Sequence, residues 1–286
     1  MKIIITGSLG NIGKPLATEL LTKGHEVIVI SSNPNKQQAI EKLGAKAAIG
    51  KLEDASFLVS TFMGADAVYC MIPFDFNQAD QKAYFQKIGD NYVQAINQAG
   101  IRQAVFLSGW AADITTSFNI RTLLEKLSDT AVTELRPGSF YSNFYSYIGM
   151  IKQYGAIMAN YGGEDKIAFV APEDIASAAA EELTIPFKGK KIRYVASEEL
   201  TCNQAAHSLG EAIGKPDLQW ITISDEQFRN SLLQTGMPAQ LVDDLVRMQA
   251  ATHSGVVYEN YLQHRPVLGK IKLNEFAKEF ANAYNQ

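Results

Sequence analysis

From its second residue to Pro137 the chain alternates apolar runs of strand length with segments of helical period. The runs are KIIIT, EVIVIS, AKAAIG, DAVYCMI, QAVFLSG and AVTELRP, and residues 12–23, 36–43, 55–63, 78–99 and 119–127 carry the helical pattern between them. A parallel strand pair needs a crossover of about helix length, so this order predicts an α/β fold, a doubly wound parallel sheet with helices on both faces. Runs such as IIIT and VIVI are apolar throughout, as expected of strands buried on both sides. Residues 1–150 are therefore expected to form this sheet domain. After Pro137 the regularity fails in GSFYSNFYSYIGMIKQYGAIMANYGG, which reads as a lid or pocket wall. Residues 151–286 are expected to make a smaller C-terminal α/β cap, packed on the first domain and partly interleaved with it. A short strand, IAFV, precedes APEDIASAAAEEL, where Pro172 and the two acidic residues after it suit a helix's first turn.

With 286 residues, 47% of them hydrophobic, the chain can bury a large core. The net charge is −4, from 26 Lys and Arg against 30 Asp and Glu, and no dense basic run offers a footprint for a phosphate backbone. Direct nucleic-acid binding is not expected. No apolar run approaches the ~18 residues of a membrane helix, and the run at Ile3 to Ile5 is too short for a signal peptide, so a cytoplasmic protein is expected. Cys70 and Cys202 read as reduced thiols in the core.

Between the first strand and the first helix stands TGSLGNIG. Gly7 ends the strand, Gly10 lets backbone approach a pyrophosphate, and Gly13 lets the helix lie close to the sheet. The helix's first N–H groups would then face phosphate oxygens, so Gly7, Ser8, Leu9, Gly10, Asn11, Ile12 and Gly13 are the expected dinucleotide loop of a Rossmann-like domain. Lys14 does not make this a nucleoside-triphosphate loop, because that motif needs Gly and Ser or Thr where Ser8 and Pro15 stand. About twenty residues on, an NAD enzyme carries a carboxylate for the ribose hydroxyls. Here the strand ends ISSNPNK. Ser31, Ser32, Asn33 and Lys36 would tolerate or bind a 2′-phosphate, so NADP(H) is the expected preference, with NAD(H) left open. Leu52, Met71, Ile72, Pro73, Arg121 and Pro137 complete the expected cofactor contacts.

The G-x-x-G-x-x-G spacing resembles the short-chain dehydrogenase/reductase superfamily, and within it the atypical NmrA-like branch, which includes NAD(P)H:quinone oxidoreductases, triphenylmethane reductases and nucleotide-sensing regulators. The resemblance spans nearly the whole chain. ITGSLGNIG is similar to the cofactor loop, LRPGSFYSNF to the segment lining the pocket, VAPEDIASAAAEEL to the DIA helix and LNEFAKEFANAY to the C-terminal helix. Two positions depart from the pattern. Ser32 stands where NADPH-using relatives often have Arg, and Lys51 stands where many have an acidic residue near adenine; Lys51 is assigned no role.

The superfamily's usual apparatus is a Ser after the fifth strand with a Tyr-x-x-x-Lys pair. Ser108 holds the Ser position, but none of the twelve tyrosines has Lys four residues on. Ser117 and Arg121 stand at the Tyr and Lys places, and an arginine is too basic to transfer the proton. Tyrosine-dependent alcohol dehydrogenation and sugar epimerisation are thus disfavoured. The expectation is an NAD(P)H-dependent oxidoreductase passing hydride to a small planar acceptor such as a quinone, with Ser108 or Asn143 donating a hydrogen bond to the developing oxyanion. The alternative is a non-catalytic NAD(P)-binding sensor of the NmrA type, acting through a protein partner. Phe74, Phe76, Trp110, Gly138, Phe140, Tyr141, Phe144 and Tyr147 are the expected pocket wall. A homodimer is left open. His25, His207, His253 and His264 have no metal-ligand spacing, so no metal is expected; HSGVVYENYLQHRP reads as a loop.

Overall fold

The computed structural model describes residues 1–75, 78, 80–114 and 120–286. The elements run β1 (Lys2–Ile5), α1 (Gly13–Thr22), β2 (Glu26–Ser31), α2 (Gln37–Lys42), β3 (Lys46–Ile49), α3 (Ala55–Phe62), β4 (Ala67–Cys70), α4 (Gln81–Ala99), β5 (Gln103–Leu107), α5 (Arg121–Glu125) and β6 (Ala131–Pro137). There follow β7 (Ser139–Phe140), α6 (Ile148–Tyr154), β8 (Ala156–Ala159), β9 (Lys166–Val170), α7 (Pro172–Thr184), β10 (Lys190–Val195), β11 (Glu198–Thr201) and α8 (Cys202–Ala212). The chain closes with β12 (Gln219–Thr222), α9 (Asp225–Gln234), α10 (Ala239–His253), α11 (Val256–Gln263) and α12 (Leu273–Tyr284). No described helix is long and apolar enough to cross a membrane.

Two compact units share the chain. The first comprises Met1–Gly109, Ser117–Arg136 and Ile175–Arg193; the second comprises Trp110–Thr116, Pro137–Asp174 and Tyr194–Gln286.

In the first unit the sheet order is β10-β6-β5-β4-β1-β2-β3. The strands from β3 to β6 are parallel, with Ile4 of β1 beside Ile28 of β2 and Val68 of β4. This is the doubly wound fold the alternation predicts. The chain starts at β1, runs outward through β2 and β3, then returns to the other side of β1 at β4. That reversal leaves a crevice at the carboxyl ends of β1 and β4, where folds of this class bind ligands. On one face Ile4, Val68, Ala104 and Val132 are buried against Leu58, Phe62, Ile88, Tyr92 and Ile96 of α3 and α4. Asp54 and Asp80 cap those helices by accepting from the N–H groups of Phe57 and Ala83. α4 ends at Gly100, whose φ of 64° is the left-handed conformation that favours glycine.

The second unit holds the sheet β11-β9-β7 and the pair β12-β8. The aromatic stretch after Pro137 forms β7, a 3-10 turn over Tyr141–Tyr147, and α6. Its period is hidden because the 3-10 turn puts every third residue on one face, and Tyr141 and Phe144 are the buried ones. HSGVVYENYLQHRP, read above as a loop, contains α11. Val257 and Tyr261, four residues apart, are its buried stripe, while adjacent β-branched valines at its start weaken the helical signal.

Candidate functional site

The glycine loop lies in the crevice between the ends of β2 and β4. The Thr6 N–H donates to the Tyr69 carbonyl at 3.0 Å and the Ser8 N–H to the Ile30 carbonyl at 2.9 Å, so both neighbours of Gly7 are tied down. Gly7 (φ 89°) and Ser8 (φ 58°) are left-handed. Strain at a non-glycine residue of this kind is usually retained where the loop conformation matters. Each glycine answers a different demand. A Cβ on Gly7 would lie 2.7 Å from Cγ of Met71, and one on Gly13 would lie 2.1 Å from the Ser8 carbonyl oxygen. Gly10 is exposed, and its Cβ would meet the Gly7 carbonyl oxygen at 3.3 Å and no other described atom within contact range. Packing therefore explains Gly7 and Gly13. Gly10 is left needing another reason.

No side chain caps α1, whose preceding residue is Ile12, and its first turn contains no acidic residue. An uncapped helix N-terminus beside an exposed glycine offers backbone N–H groups and a positive dipole end to a phosphate. Across the loop the Ser8 hydroxyl donates to Oγ of Ser31 at 3.0 Å. Ser31 is buried, whereas Ser32, Asn33 and Lys36 are exposed, with Asn33 accepting from the Asn35 N–H at 2.9 Å. No carboxylate stands at this strand end. The donor set thus fits a dinucleotide, including one phosphorylated on its adenosine ribose.

Met71 continues β4 over Gly7. Its N–H donates to Oγ1 of Thr6 at 2.8 Å and its carbonyl accepts from the Tyr92 hydroxyl at 2.7 Å. Thr6 escaped the sequence reading, and its only signal there was a polar residue closing an apolar strand. Ile72 and Leu52 are half-buried against the α3–α4 core, and the Leu52 carbonyl accepts from Nδ2 of Asn91 at 2.9 Å. Pro73 is half-buried and Phe74 exposed, its ring 5.6 Å from that of Phe85. Phe76 and Ser117 lie outside the described residues. Lys51 and Arg121 are exposed, the latter opening α5.

Ser108 follows β5, its N–H donating to the Leu135 carbonyl at 2.8 Å. Its Oγ is buried and has no hydrogen-bond partner among the described residues. On β6, Glu134 and Arg136 are 3% and 1% exposed. Nη2 of Arg136 donates to Oε2 of Glu134 at 3.0 Å, with Nε 2.9 Å from Oε1. Two residues apart on a strand, they share one face. Beside them on the same strand, Oγ1 of Thr133 donates to Glu182 at 2.8 Å, and Glu182 also meets Lys191 and Arg193. Burial raises the Glu182 carboxyl pKa, but the Lys191, Thr133 and Arg193 hydrogen bonds outweigh it and hold the carboxyl below the ordinary value.

In the second unit the aromatics expected to line a pocket have diverse surroundings. Tyr141 is fully buried, stacked on Phe276 at 5.6 Å, with its hydroxyl donating to Glu198 and to the Ile271 carbonyl. Phe144 lies among Phe169, Trp220 and Phe276. The Tyr147 hydroxyl is 3.2 Å from that of Tyr161. Phe140 is half-buried in β7, and Asn143 is exposed with Nδ2 3.4 Å from the Ser139 hydroxyl. A Cβ on Gly138 would lie 2.0 Å from the Ala168 carbonyl oxygen, so close passage of β9 accounts for that glycine. Trp110 is buried, its N–H donating to the Pro137 carbonyl at 3.0 Å. His253 meets Asp165 at 2.8 Å, His207 meets Glu211 at 3.3 Å, and no metal-binding group occurs among the described residues. Cys70 and Cys202 are buried free thiols.

Residues 1–273 match the NmrA-like family, and the chain belongs to that family. Among its relatives is an NAD(P)H azoreductase of Xenophilus azovorans, 25% identical over 255 residues, 87% of this chain and 86% of the relative. Among solved structures, an NADPH-dependent quinone oxidoreductase of Escherichia coli, in complex with NADPH, aligns with a TM-score of 0.74 at 22% identity over 97% of this chain and 99% of its own. Triphenylmethane reductase of a Citrobacter species aligns with a TM-score of 0.76 at 20% identity over 99% and 100%.

Proposed function

We propose that this protein is an NAD(P)H-dependent reductase of a planar, electron-poor acceptor such as a quinone. The observation that carries the reading is the exposed Gly10 beside the uncapped N-terminus of α1, a glycine that packing does not require. The likeness to an NAD(P)H azoreductase, an NADPH-dependent quinone oxidoreductase and a triphenylmethane reductase supports it. NADPH, when bound, supplies a hydride. Backbone N–H groups from Leu9 to Gly13 hold the pyrophosphate, while Ser31, Ser32, Asn33 and Lys36 accept the 2′-phosphate in place of a repelling carboxylate. Ser108, with a buried hydroxyl that no described residue engages, donates a hydrogen bond to the acceptor oxygen as negative charge builds there. A quinone reduced this way becomes a stabilised anion, so the reaction needs positioning more than a strong acid.

The test is anaerobic NADPH and NADH oxidation at high protein concentration with a panel of quinones, triarylmethane dyes, azo dyes and simple ketones. Oxidation of NADPH by the planar acceptors is expected, with ketones inert. Tight NADPH binding without turnover of any acceptor would replace this reading by the NAD(P)-sensing one, in which the protein acts through a partner.

A further inference from the structure

Strands β2 and β3 differ in charge between their two ends. At the amino ends Lys46 is paired with Glu26 at 2.7 Å. At the carboxyl ends, beside the glycine loop, stand Lys36 and Lys51, both exposed, and neither ammonium group has a hydrogen bond or ion pair among the described residues. The carboxylates that follow Lys51 are engaged elsewhere. Asp54 accepts from the Phe57 N–H at 3.0 Å as the cap of α3, and Glu53 lies close enough to α4 that its charge, after burial, raises the Tyr84 pKa.

The backbone sets Lys51 beside the end of β2. Ser31 of β2 is level with Ile49 of β3, and the Gly50 N–H donates to the Ser31 carbonyl at 3.0 Å. Lys51 and Ser32 each follow one member of that bonded pair, where neighbouring strands lie about 5 Å apart. Alternation then fixes the face. Ala48 and Leu52 pack against the α3–α4 core, and a Cβ on Gly50 would lie 2.6 Å from the Phe57 ring of α3, so the odd-numbered positions between them face away from those helices. Ile30 belongs to the same core, which puts Ser31 on the opposite face, where its Oγ accepts from the Ser8 hydroxyl of the glycine loop at 3.0 Å. Lys51 therefore shares a face with Ser31 and the loop.

A 2′-phosphate at this strand end calls for a cation nearby, usually an arginine. No arginine of this unit can serve. The chain has none before Arg102, which binds Asp66 at the amino ends of the strands, where Asp66 also accepts from the Lys2 N–H. Arg121 opens the helix between β5 and β6, on the far side of β1 and β4 from β2, Arg136 is buried on Glu134, and Arg193 binds Glu181 and Glu182. We propose that Lys51 is the principal cation for the 2′-phosphate of NADP(H), reaching it from the end of β3 across the end of β2, with Lys36 on the other flank. This rests on the reading of the crevice as the cofactor site and not on the identity of the acceptor. A lysine is a mobile point charge, so it needs no fixed phosphate geometry to favour the phosphorylated cofactor.

The test is calorimetric titration of the parent, Lys51→Gln and Lys51→Arg with adenosine 2′,5′-bisphosphate and adenosine 5′-monophosphate, which differ only in the 2′-phosphate, and with NADPH and NADH. Lys51→Gln is expected to bind the bisphosphate and NADPH about tenfold more weakly, the lower end for a hydrogen bond between charged groups because the site is open to water. The monophosphate and NADH, which offer Lys51 no phosphate, should bind within about twofold of the parent. Lys51→Arg, which keeps the charge, should retain the preference for the bisphosphate, and both variants should unfold at the parent's temperature because the side chain is exposed. A Lys51→Gln protein that binds the bisphosphate as tightly as the parent, or that loses the monophosphate to the same degree, would overturn the Lys51 assignment alone. A parent that binds the bisphosphate no more tightly than the monophosphate would overturn the reading of this crevice as an NADP(H) site, and the proposal with it.

Discussion

Alanine at Gly10 and at Gly13 should separate ligand binding from folding, because the two glycines face different neighbours. At Gly13 the new Cβ would lie 2.1 Å from the Ser8 carbonyl oxygen, more than 1 Å inside ordinary contact, and Ser8 cannot retreat because its N–H is bonded to the Ile30 carbonyl. α1 must move off the loop instead. Overpacking of this severity costs about 3 kcal/mol, the upper part of its usual range. That corresponds to a fall in Tm of about 5–10 °C in a chain this large. At Gly10 the Cβ would lie 3.3 Å from the Gly7 carbonyl oxygen, which asks for a shift of a few tenths of an ångström. The cost is under about 1.5 kcal/mol and is largely offset by the ~0.4–1 kcal/mol that Gly→Ala gains through the unfolded chain. Gly10→Ala should therefore unfold within a few degrees of the parent. Its methyl group would nonetheless occupy the place where phosphate must approach backbone, and NADPH affinity should fall about tenfold to a hundredfold, the equivalent of ~1–3 kcal/mol. Thermal unfolding and equilibrium titration of NADPH fluorescence measure the two effects. A Gly10→Ala protein that stays folded and binds NADPH as tightly as the parent would refute the loop assignment.

Ser32→Asp puts a carboxylate at the exposed end of β2 and should weaken NADPH at least about tenfold while leaving NADH binding within a factor of a few, as titration with both cofactors would register. Glu182 titrates below the ordinary glutamate range in the folded protein, so its contribution is full above its unfolded pKa and disappears as pH falls through the folded one. Glu182→Gln should accordingly flatten the acid limb of stability against pH, with the parent and variant converging at the lowest pH; parallel curves would contradict this. Arg136→Met leaves the Glu134 carboxylate buried without its partner and should cost about 3–5 kcal/mol, whereas Glu134→Gln with Arg136→Met should recover most of the loss in denaturant unfolding.

The order of strands and helices was legible because it is written in short-range sterics and periodicity. KIIIT, EVIVIS and AVTELRP read as strands without any knowledge of their neighbours, and LNEFAKEFANAY, similar to the family's C-terminal helix, coincides with α12. The glycine loop was legible for the same reason, since a strand, a tight turn and a helix start lie within a dozen residues. What each loop glycine avoids was not legible. Gly13 answers to the Ser8 carbonyl nearby in the chain, but Gly7 answers to Met71 and Gly138 to Ala168, contacts that exist only after strands distant in sequence are laid together. The surroundings of the aromatics followed the same division. Nothing local distinguishes Tyr141, spent against Phe169 and Phe276, from Tyr258, whose hydroxyl is left unengaged, because both are tyrosines in aromatic-rich stretches. Likewise Glu134 and Arg136 read as polar interruptions of a strand, and only the closing of the core over β6 turned them into a buried pair. Local sequence sets the conformational menu of each segment, but burial and partnership depend on atoms tens to more than a hundred residues away, which only the folded chain brings within reach.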